Sequence, residues 1–274
     1  MLAPKDKIAV AILDAHNNYR SDTALGKTES QPMAKDMTKL VWDSALASEA
    51  QVWANKCIFQ HDNKISVGEN IYAIASSRDD IDPIDGILRG LENFYEEHLD
   101  YNFSKGKCST VGSCGHYTQM VWAQTLSVGC GHAECSDIFP PRLPYQMFYV
   151  CRYSPAGNWF GEKPYLETSD LSAVASICPN GYTSNVETGL CEIEVSTTTS
   201  PLINPSSTEA SSETFVLPSS TSSVMPSLTP SKSPRNFSPS IPSVNSGTLL
   251  FPKLSSDMFN EKQLKPEKTP EKSK

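Results

Sequence analysis

The sequence predicts an α+β domain that is rich in disulfides and is followed by a disordered tail. Helical periodicity marks much of the first hundred residues, whereas the alternating patterns of strands begin only at residue 127. All eight cysteines precede residue 195, and Ser, Thr and Pro then supply 40 of the last 80 residues. Such a composition buries too little apolar area to offset the entropy of ordering, so we expect an extended, O-glycosylated stalk at 195–274.

Three segments carry apolar residues at three- and four-residue steps, which predicts amphipathic helices. They read DKIAVAILDAHNNYR (6–20), WDSALASEAQVWANKC (42–57) and DPIDGILRGLENFYEEHLDY (82–101). Asp43 and Asp82 stand where N-caps belong, and Pro83 suits the first helical position because its missing N–H is not needed there. The second helix should carry Cys57 to its inner end.

Two later segments predict strands, SVGCGHAEC (127–135) and YQMFYVCRYS (145–154). The second has apolar side chains on both faces, with Tyr149 on one side and Phe148 on the other. A strand with two apolar faces belongs in the middle of a sheet. The intervening SDIFPPRLPY is a proline-broken loop.

The net charge indicates which kinds of partner the chain is suited to bind. The chain carries a formal net charge of −8, and the tail holds 8 Lys and Arg against 6 Asp and Glu, so the first 194 residues carry −10. An acidic surface does not suit a nucleic acid, so we expect no nucleic-acid partner. We also expect no transmembrane segment, because no apolar run approaches the roughly 18 residues of a membrane-spanning helix. The charged end KPEKTPEKSK does not resemble a lipid-anchor signal.

The cysteines and two sequons favour an exported protein. An even number is what a fully oxidised chain would have, and disulfides are favoured over zinc thiolates because Cys130 and Cys135 lack a repeated C-x-x-C-like spacing. Asn102 and Asn236 each begin an N-F-S sequon and are candidate glycosylation sites. The start MLAPKDKIAVAIL lacks the pattern of a signal peptide, so we expect a signal that was either removed or is missing from this start.

Five motifs in order along the chain carry a family resemblance. They are HNNYR (16–20), GEN (68–70), GHYTQMVW (115–122), VGCGHAEC (128–135) and FYVCRYSPAGNW (148–159). Together they resemble the signatures of the CAP superfamily, the cysteine-rich secretory, antigen 5 and pathogenesis-related-1 proteins, over about residues 5 to 165. The resemblance implies a secreted protein and a three-layer α-β-α sandwich, in agreement with the mixed pattern of elements.

The resemblance also implies how the cysteines pair and how the chain is divided. The implied disulfides are Cys57–Cys135, Cys108–Cys114 and Cys130–Cys151, which leaves Cys178 and Cys191 for each other. The long Cys57–Cys135 closure should contribute on the order of 4 kcal/mol through chain entropy, so the fold should depend on it most. We expect a CAP domain at 1–165, a small disulfide-closed loop at 166–194 that is too short for a core of its own, and the stalk at 195–274.

Family members keep two histidines and two glutamates in a central cleft, and the motifs carry these onto His61, Glu69, Glu97 and His116. Helix register alone admits Glu96 or Glu97, and the family spacing selects Glu97. Two neutral imidazoles beside two carboxylates suit a divalent cation, with zinc the first metal to consider and the carboxylates near enough to orient the imidazoles. The alternative is that the four groups satisfy one another by hydrogen bonds and charge.

The other three histidines have structural interpretations. His16 belongs to a helix motif, His98 lies on an apolar helical face, and His132 follows a glycine in a strand, where it could lie on the surface or at an edge.

The sequence predicts a binding protein rather than an enzyme. It contains neither G-x-S-x-G nor H-E-x-x-H, and every cysteine has an expected partner. We expect a secreted protein that binds a divalent metal in the cleft and, as the resemblance implies, a sterol or fatty acid in apolar grooves. The alternative is an extracellular interaction or matrix protein that binds a protein partner with its CAP domain and uses residues 195–274 as a glycosylated spacer.

Overall fold

The fold comes from a computed structural model that describes residues 6–77, 80–109, 112–138 and 143–194. The predicted stalk and the sequon at Asn236 lie outside the described residues. The helices are α1 (Lys7–Ala24), α2 (Ser44–Ala54), α3 (Pro83–Glu96) and α4 (Gly115–Met120). The strands are β1 (Met33–Ala34), β2 (Val41–Trp42), β3 (Gly68–Ser76), β4 (Tyr101–Asn102), β5 (Lys107–Cys108), β6 (Ser127–Cys135), β7 (Tyr145–Ser154), β8 (Glu167–Thr168), β9 (Tyr182–Asn185) and β10 (Leu190–Ile193).

The helix starts lie where the caps predict them. A side-chain oxygen of Asp43 accepts hydrogen bonds from the backbone N–H groups of Ala45 (2.8 Å) and Leu46 (3.2 Å) at the start of α2. Asp82 does the same for the start of α3, and Pro83 occupies the first helical position. Both predicted N-caps are therefore confirmed.

The main sheet has four strands in the order β2-β6-β7-β3. β2 runs parallel to β6, and the other two pairs are antiparallel. The prediction that 145–154 forms a central strand is confirmed, since β7 is paired on both sides. β3 closes one edge of the sheet, and its first residues bring Glu69 opposite Arg152.

Helices cover both faces of this sheet. On one face, Ile12 of α1 and Leu91 of α3 share an apolar cluster with Tyr149 of β7. On the other face, Ala50 of α2 shares a cluster with Phe148 of β7. The alternation along β7 thus separates two cores, and the three-layer α-β-α sandwich is confirmed.

Two glycines of β6 explain how closely α2 approaches the sheet. A Cβ atom on Gly129 would lie 2.3 Å from the backbone nitrogen of Ala47, and one on Gly131 would lie 2.4 Å from Cα of Gln51. These distances leave no room for a side chain, so the motif GCG is required for α2 to lie directly on the strand.

All eight cysteines are paired as the resemblance implies. The bonds are Cys57–Cys135, Cys108–Cys114, Cys130–Cys151 and Cys178–Cys191. No cysteine is free, so none is available as a zinc thiolate or a nucleophile. The third bond joins residues that lie directly opposite each other in β6 and β7.

The segment 166–194 is attached to the stretch that follows α1. The backbone N–H of Cys191 donates to the Met37 carbonyl, and the N–H of Lys39 donates to the Cys191 carbonyl, both at 2.8 Å. Leu190 is buried in the same cluster as Tyr117 of α4. The segment thus packs on its neighbours through Leu190.

Arg20, the last residue of the HNNYR motif, ties α1 to the chain that follows α4. It is fully buried, and its guanidinium donates to the carbonyls of Thr38 (2.7 Å), Met120 (3.0 Å) and Trp122 (2.8 Å). Burial lowers the pKa of Arg20 to about 9, because the charged form loses hydration. The motif is therefore a structural anchor for α4, the helix that carries His116.

Candidate functional site

The carboxylate of Glu97 contacts both the imidazole and the backbone N–H of His116. Oε1 of Glu97 lies 2.7 Å from Nδ1 of His116, and Oε2 accepts from the backbone N–H groups of His116 (3.0 Å) and Tyr117 (3.2 Å). Glu97 is the first residue of a 3-10 turn, Glu97–Leu99, because α3 ends at Glu96. The structure therefore brings Glu97 rather than Glu96 to the histidine.

The imidazole of His116 is also fixed by packing. Its ring stacks on Phe94, with centroids 4.4 Å apart and an angle of 16° between the planes. Phe94 is buried in α3, and only 20% of the His116 side chain is exposed. Cys114 is the residue before α4 and is bonded to Cys108, which restrains the start of the same helix.

His61 forms the equivalent pair with Glu69, in the loop between α2 and β3. Nδ1 of His61 lies 3.0 Å from Oε1 of Glu69, which also accepts from the backbone N–H of Asp62 at 2.9 Å. The Glu69 side chain is only 4% exposed, whereas that of His61 is 49% exposed. His61 thus contacts a buried carboxylate, while its own side chain is about half exposed to solvent.

Arg152 binds three carboxylates beside this pair. Its guanidinium lies 3.0 Å from Glu49, 2.9 Å from Asp62 and 3.5 Å from Glu69. The last contact joins Nε to Oε2, and it is an ion pair too long to be a well-formed hydrogen bond. Sequence analysis overlooked Arg152. The available signal was a lone charged residue in a strand with two apolar faces, which requires buried partners.

The two His–Glu pairs flank the first residues of β3. Glu69 binds His61, and the side-chain amide of the next residue, Asn70, donates to the His116 carbonyl at 3.0 Å. Two consecutive residues of this edge strand, Glu69 and Asn70, thus contact both pairs. Asn70, the last residue of the GEN motif, is a second position whose role sequence analysis did not identify.

The geometry fixes which ring nitrogen each histidine can offer. Nδ1 faces a carboxylate oxygen in both pairs, and an ionised carboxylate only accepts hydrogen bonds, so Nε2 is the nitrogen that a neutral imidazole could offer to a metal. Within the described ranges, no group of three or more His, Cys, Asp and Glu side chains could hold a metal ion. The metal assignment to His61, His116, Glu69 and Glu97 therefore remains a prediction.

The remaining histidines make other contacts. His16 is buried, and its Nδ1 donates to the Ile12 carbonyl (2.8 Å), so Nε2 accepts from the Tyr153 hydroxyl (2.9 Å). Burial lowers the pKa of His16 to about 4. His132 of β6 stacks on Tyr149 of β7, and partial burial lowers the pKa of His132. The structural interpretation of His16 agrees with these contacts.

A cavity of about 520 Å³ opens between α1, α2 and the sheet. Its apolar lining includes Ile8, Ile12, Trp42 and Ile87, with Ser44, Ser48 and Gln51 among the polar groups at its wall. Such a volume is within the range of small-molecule sites, about 300–1,000 Å³. It is the groove to consider for the predicted sterol or fatty acid.

The first sequon begins at the end of β4 and continues into the turn that follows. Asn102 is exposed, and its side-chain oxygen accepts from the Ser104 hydroxyl (2.8 Å) and the Lys105 N–H (3.0 Å). The side-chain nitrogen is the atom that N-glycosylation modifies. Glycosylation at Asn102 remains a prediction.

Comparison with known proteins identifies the class. Residues 13–153 match the family described as CAP, the cysteine-rich secretory protein family. This chain belongs to that family. The match covers the sandwich, both His–Glu pairs and Arg152.

Two relatives and one solved structure show what the chain is similar to. The chain is 37% identical over 182 residues to mouse peptidase inhibitor 16, covering 66% of this chain and 33% of that protein. It is 39% identical over 166 residues to venom allergen 5.02 of Vespa crabro, covering 57% of this chain and 78% of that protein. The crystal structure of NaASP2 with Zn²⁺ superposes with a TM-score of 0.55 at 27% identity, covering 69% of this chain and all of that one.

The matches to peptidase inhibitor 16 cover only part of those proteins. The aligned region spans about a third of mouse and human peptidase inhibitor 16. In the part of this chain that the structure describes, no helix combines the length and apolar character needed to cross a membrane.

Proposed function

We propose that this protein is an extracellular, non-enzymatic binding protein whose two His–Glu pairs hold a divalent metal, with zinc the first choice. One observation carries the proposal: in both pairs Nδ1 faces a carboxylate oxygen, so Nε2 is the nitrogen that a neutral imidazole would offer to a metal. Carboxylate, imidazole and metal are arranged in this order in many zinc sites, where the carboxylate fixes the tautomer and raises the basicity of the ligand.

The donor set predicts the strength of such a site. His61 and His116 would be the direct ligands, and Glu69 and Glu97 would orient them, so water would complete the coordination. Zinc sites in proteins usually have three or four protein ligands, so we expect weaker binding than at a structural zinc. The structure of NaASP2 with Zn²⁺ supports zinc as the metal to test. When bound, zinc supplies a Lewis acid that can hold an anionic or carbonyl group.

Calorimetric titration of the full chain with zinc tests this function. The protein is produced in an oxidising host, and wild type is compared with His61→Ala/His116→Ala. We expect saturable heat in the wild type and its loss in the double variant. His132→Gln is the matched control, since it removes an imidazole outside both pairs. Equal heats in the wild type and the double variant would contradict the proposal.

We propose a sterol or fatty acid as a second ligand, taken up in the cavity between α1, α2 and the sheet. Its apolar lining and its volume of about 520 Å³ support this function. Binding of a fluorescent sterol and of a fluorescent fatty acid should fall when Ile8→Glu introduces a charge at the partly exposed wall of the cavity. Val52→Glu, at an exposed position of α2, is the control. Equal binding by Ile8→Glu and wild type would rule out this cavity.

An alternative from a different class is an extracellular interaction or matrix protein. In that case residues 1–165 act as a rigid head, 166–194 as a disulfide-closed attachment and 195–274 as a glycosylated spacer. The composition of the last 80 residues supports this arrangement. A partner in extracellular fluid should then bind equally to the wild type and to His61→Ala/His116→Ala, whereas a metal-dependent partner should bind only the wild type.

A further inference from the structure

Arg152 of β7 contacts three carboxylates beside the start of β3, those of Glu49, Asp62 and Glu69. We propose that Arg152 is a positioning residue that sets the orientation of His61, and hence the metal affinity of the His61–Glu69 pair. The inference rests on the proposed metal-binding function. It concerns a residue that touches neither imidazole and acts through Glu69 and Asp62.

The first step is electrostatic. The Glu69 and Asp62 side chains are 4% and 13% exposed, so two carboxylates are held close together with little water. Burial of like charges is unfavourable unless a counter-charge is present. The guanidinium of Arg152 is 5% exposed and reaches Asp62 through Nη2 and Glu69 through Nε, which one planar fork can do and a single ammonium cannot.

The second step connects this ion cluster to the histidine. Oε1 of Glu69 accepts from Nδ1 of His61 and from the N–H of Asp62, the residue that follows it. Arg152 therefore restrains both Glu69 and the loop residue next to His61. A chain of contacts leads from Arg152 through Glu69 to the Nδ1 proton, and this proton decides that Nε2 carries the lone pair.

The third step is the absence of an equivalent cation at the other pair, as far as the described residues extend. Glu97 is held by two backbone N–H groups at the start of α4, and His116 is held by Phe94. His61 is more than twice as exposed as His116, at 49% against 20%, so packing restrains it less. The orientation of His61 should thus depend on Arg152, whereas that of His116 should not.

Three variants of the full chain separate this role from general stability. Arg152→Gln removes the charge and Arg152→Lys keeps the charge without the fork. Glu49→Gln is the matched control, because Glu49 binds the same guanidinium from a side chain that is 59% exposed. Zinc is the probe in a calorimetric titration, and ¹⁵N NMR of the metal-free protein reports the tautomer of each imidazole.

We expect Arg152→Gln to weaken zinc binding by about tenfold, the lower end of the range for residues that support metal-bound histidines. His61 should then populate both tautomers, while His116 keeps its proton on Nδ1. Arg152→Lys should have a smaller effect of the same kind, and Glu49→Gln should match the wild type.

Two results would overturn the inference. One is a folded Arg152→Gln protein with wild-type zinc affinity and an unchanged His61 tautomer. The other is an equal change at His61 and His116, which would indicate a general loss of structure. If Arg152→Gln does not fold, Arg152→Lys decides by the same two measurements. If the wild type binds no zinc, the proposed function fails, and the tautomers of the metal-free variants still decide whether Arg152 positions His61.

Discussion

The two His–Glu pairs make the same contact, Nδ1 to Oε1, from two different kinds of scaffold. The His116 pair is clamped by backbone N–H groups, by a stacked aromatic ring and by the start of a helix. In the other pair, His61 lies in a loop and Glu69 in β3, and Arg152 forms ion pairs with Asp62 and Glu69. We call His116 with Glu97 the His116 arm, and His61 with Glu69 the His61 arm. Packing restrains the His116 arm, whereas ion pairs restrain the His61 arm, whose imidazole is half exposed.

This difference predicts different sensitivities for the two arms. Backbone hydrogen bonds and aromatic stacking depend on the position of α4, so the His116 arm should change only when the sandwich itself changes. Ion pairs depend on charge balance and on the loop that presents Asp62, so the His61 arm should be the adjustable one. A metal held between them would thus have one rigid ligand and one adjustable ligand.

Each arm has its own disulfide, and removing these bonds gives the largest expected effect. Cys57–Cys135 lies before the His61 loop and closes a separation of 78 residues, whereas Cys108–Cys114 lies before His116 and closes 6. Chain entropy alone gives about 4.5 kcal/mol for the first and about 2 kcal/mol for the second. Denaturant unfolding of the two Cys→Ser double variants should show this order.

One result would contradict this difference between the two disulfides. If the Cys108→Ser/Cys114→Ser variant lost as much free energy of unfolding as Cys57→Ser/Cys135→Ser, local restraint of α4 would outweigh chain entropy. The His116 arm would then owe its rigidity to its disulfide more than to packing. Retention of the other three bonds, checked by mass mapping, is the necessary control in each variant.

The next effect, about 3 kcal/mol, comes from His16, which is connected to the His116 arm through Tyr153 and Asn70. Tyr153 donates to His16, and Asn70 donates to the Tyr153 oxygen (3.3 Å) and to the His116 carbonyl. Burial lowers the pKa of His16 from 6.5 to about 4, so the unfolded chain takes up a proton more readily. Stability from this group is complete above pH 6.5 and is lost as pH falls towards 4.

Unfolding free energies measured from pH 7 to pH 4 check this expectation. His16→Gln should lower the absolute stability and should also flatten the pH dependence, since it removes the titrating group. His132→Gln is the control, because it also removes an imidazole whose pKa is lowered by burial, but one that is only partly buried. An identical slope in the wild type and His16→Gln would show that His16 does not carry the effect.

The sequence was a good guide to elements whose signals are local. Asp43 and Asp82 predicted two helix starts through their caps, and the two apolar faces of 145–154 predicted a central strand. β3 was not predicted, because GENIYAIAS has apolar side chains at successive positions and lacks the alternation of a half-buried strand. The two-residue strands β1 and β8 have no local signal, since they exist only through pairing between residues far apart in sequence.

For the candidate site, the family resemblance supplied the four residues and the structure supplied their pairing. Sequence reasoning could not assign Nδ1 and Nε2, because the tautomer depends on which atom meets the carboxylate. It also missed Arg152, whose partners come from α2, from the following loop and from β3. A charged residue on a buried strand face indicates that partners exist, and only the fold can say which.

The smallest expected effect is the most direct test of the comparison between the two arms. His116→Ala removes a charge-assisted hydrogen bond and a stacked ring from a largely buried position, so it should cost about 2 kcal/mol of unfolding free energy. His61→Ala should cost no more than about 0.5 kcal/mol, because the ring is half exposed and Oε1 of Glu69 keeps the Asp62 N–H. Urea unfolding at pH 7 without metal measures both. Equal costs would mean that the His61 loop is as tightly packed as α4, and the proposed division into a rigid and an adjustable ligand would be wrong.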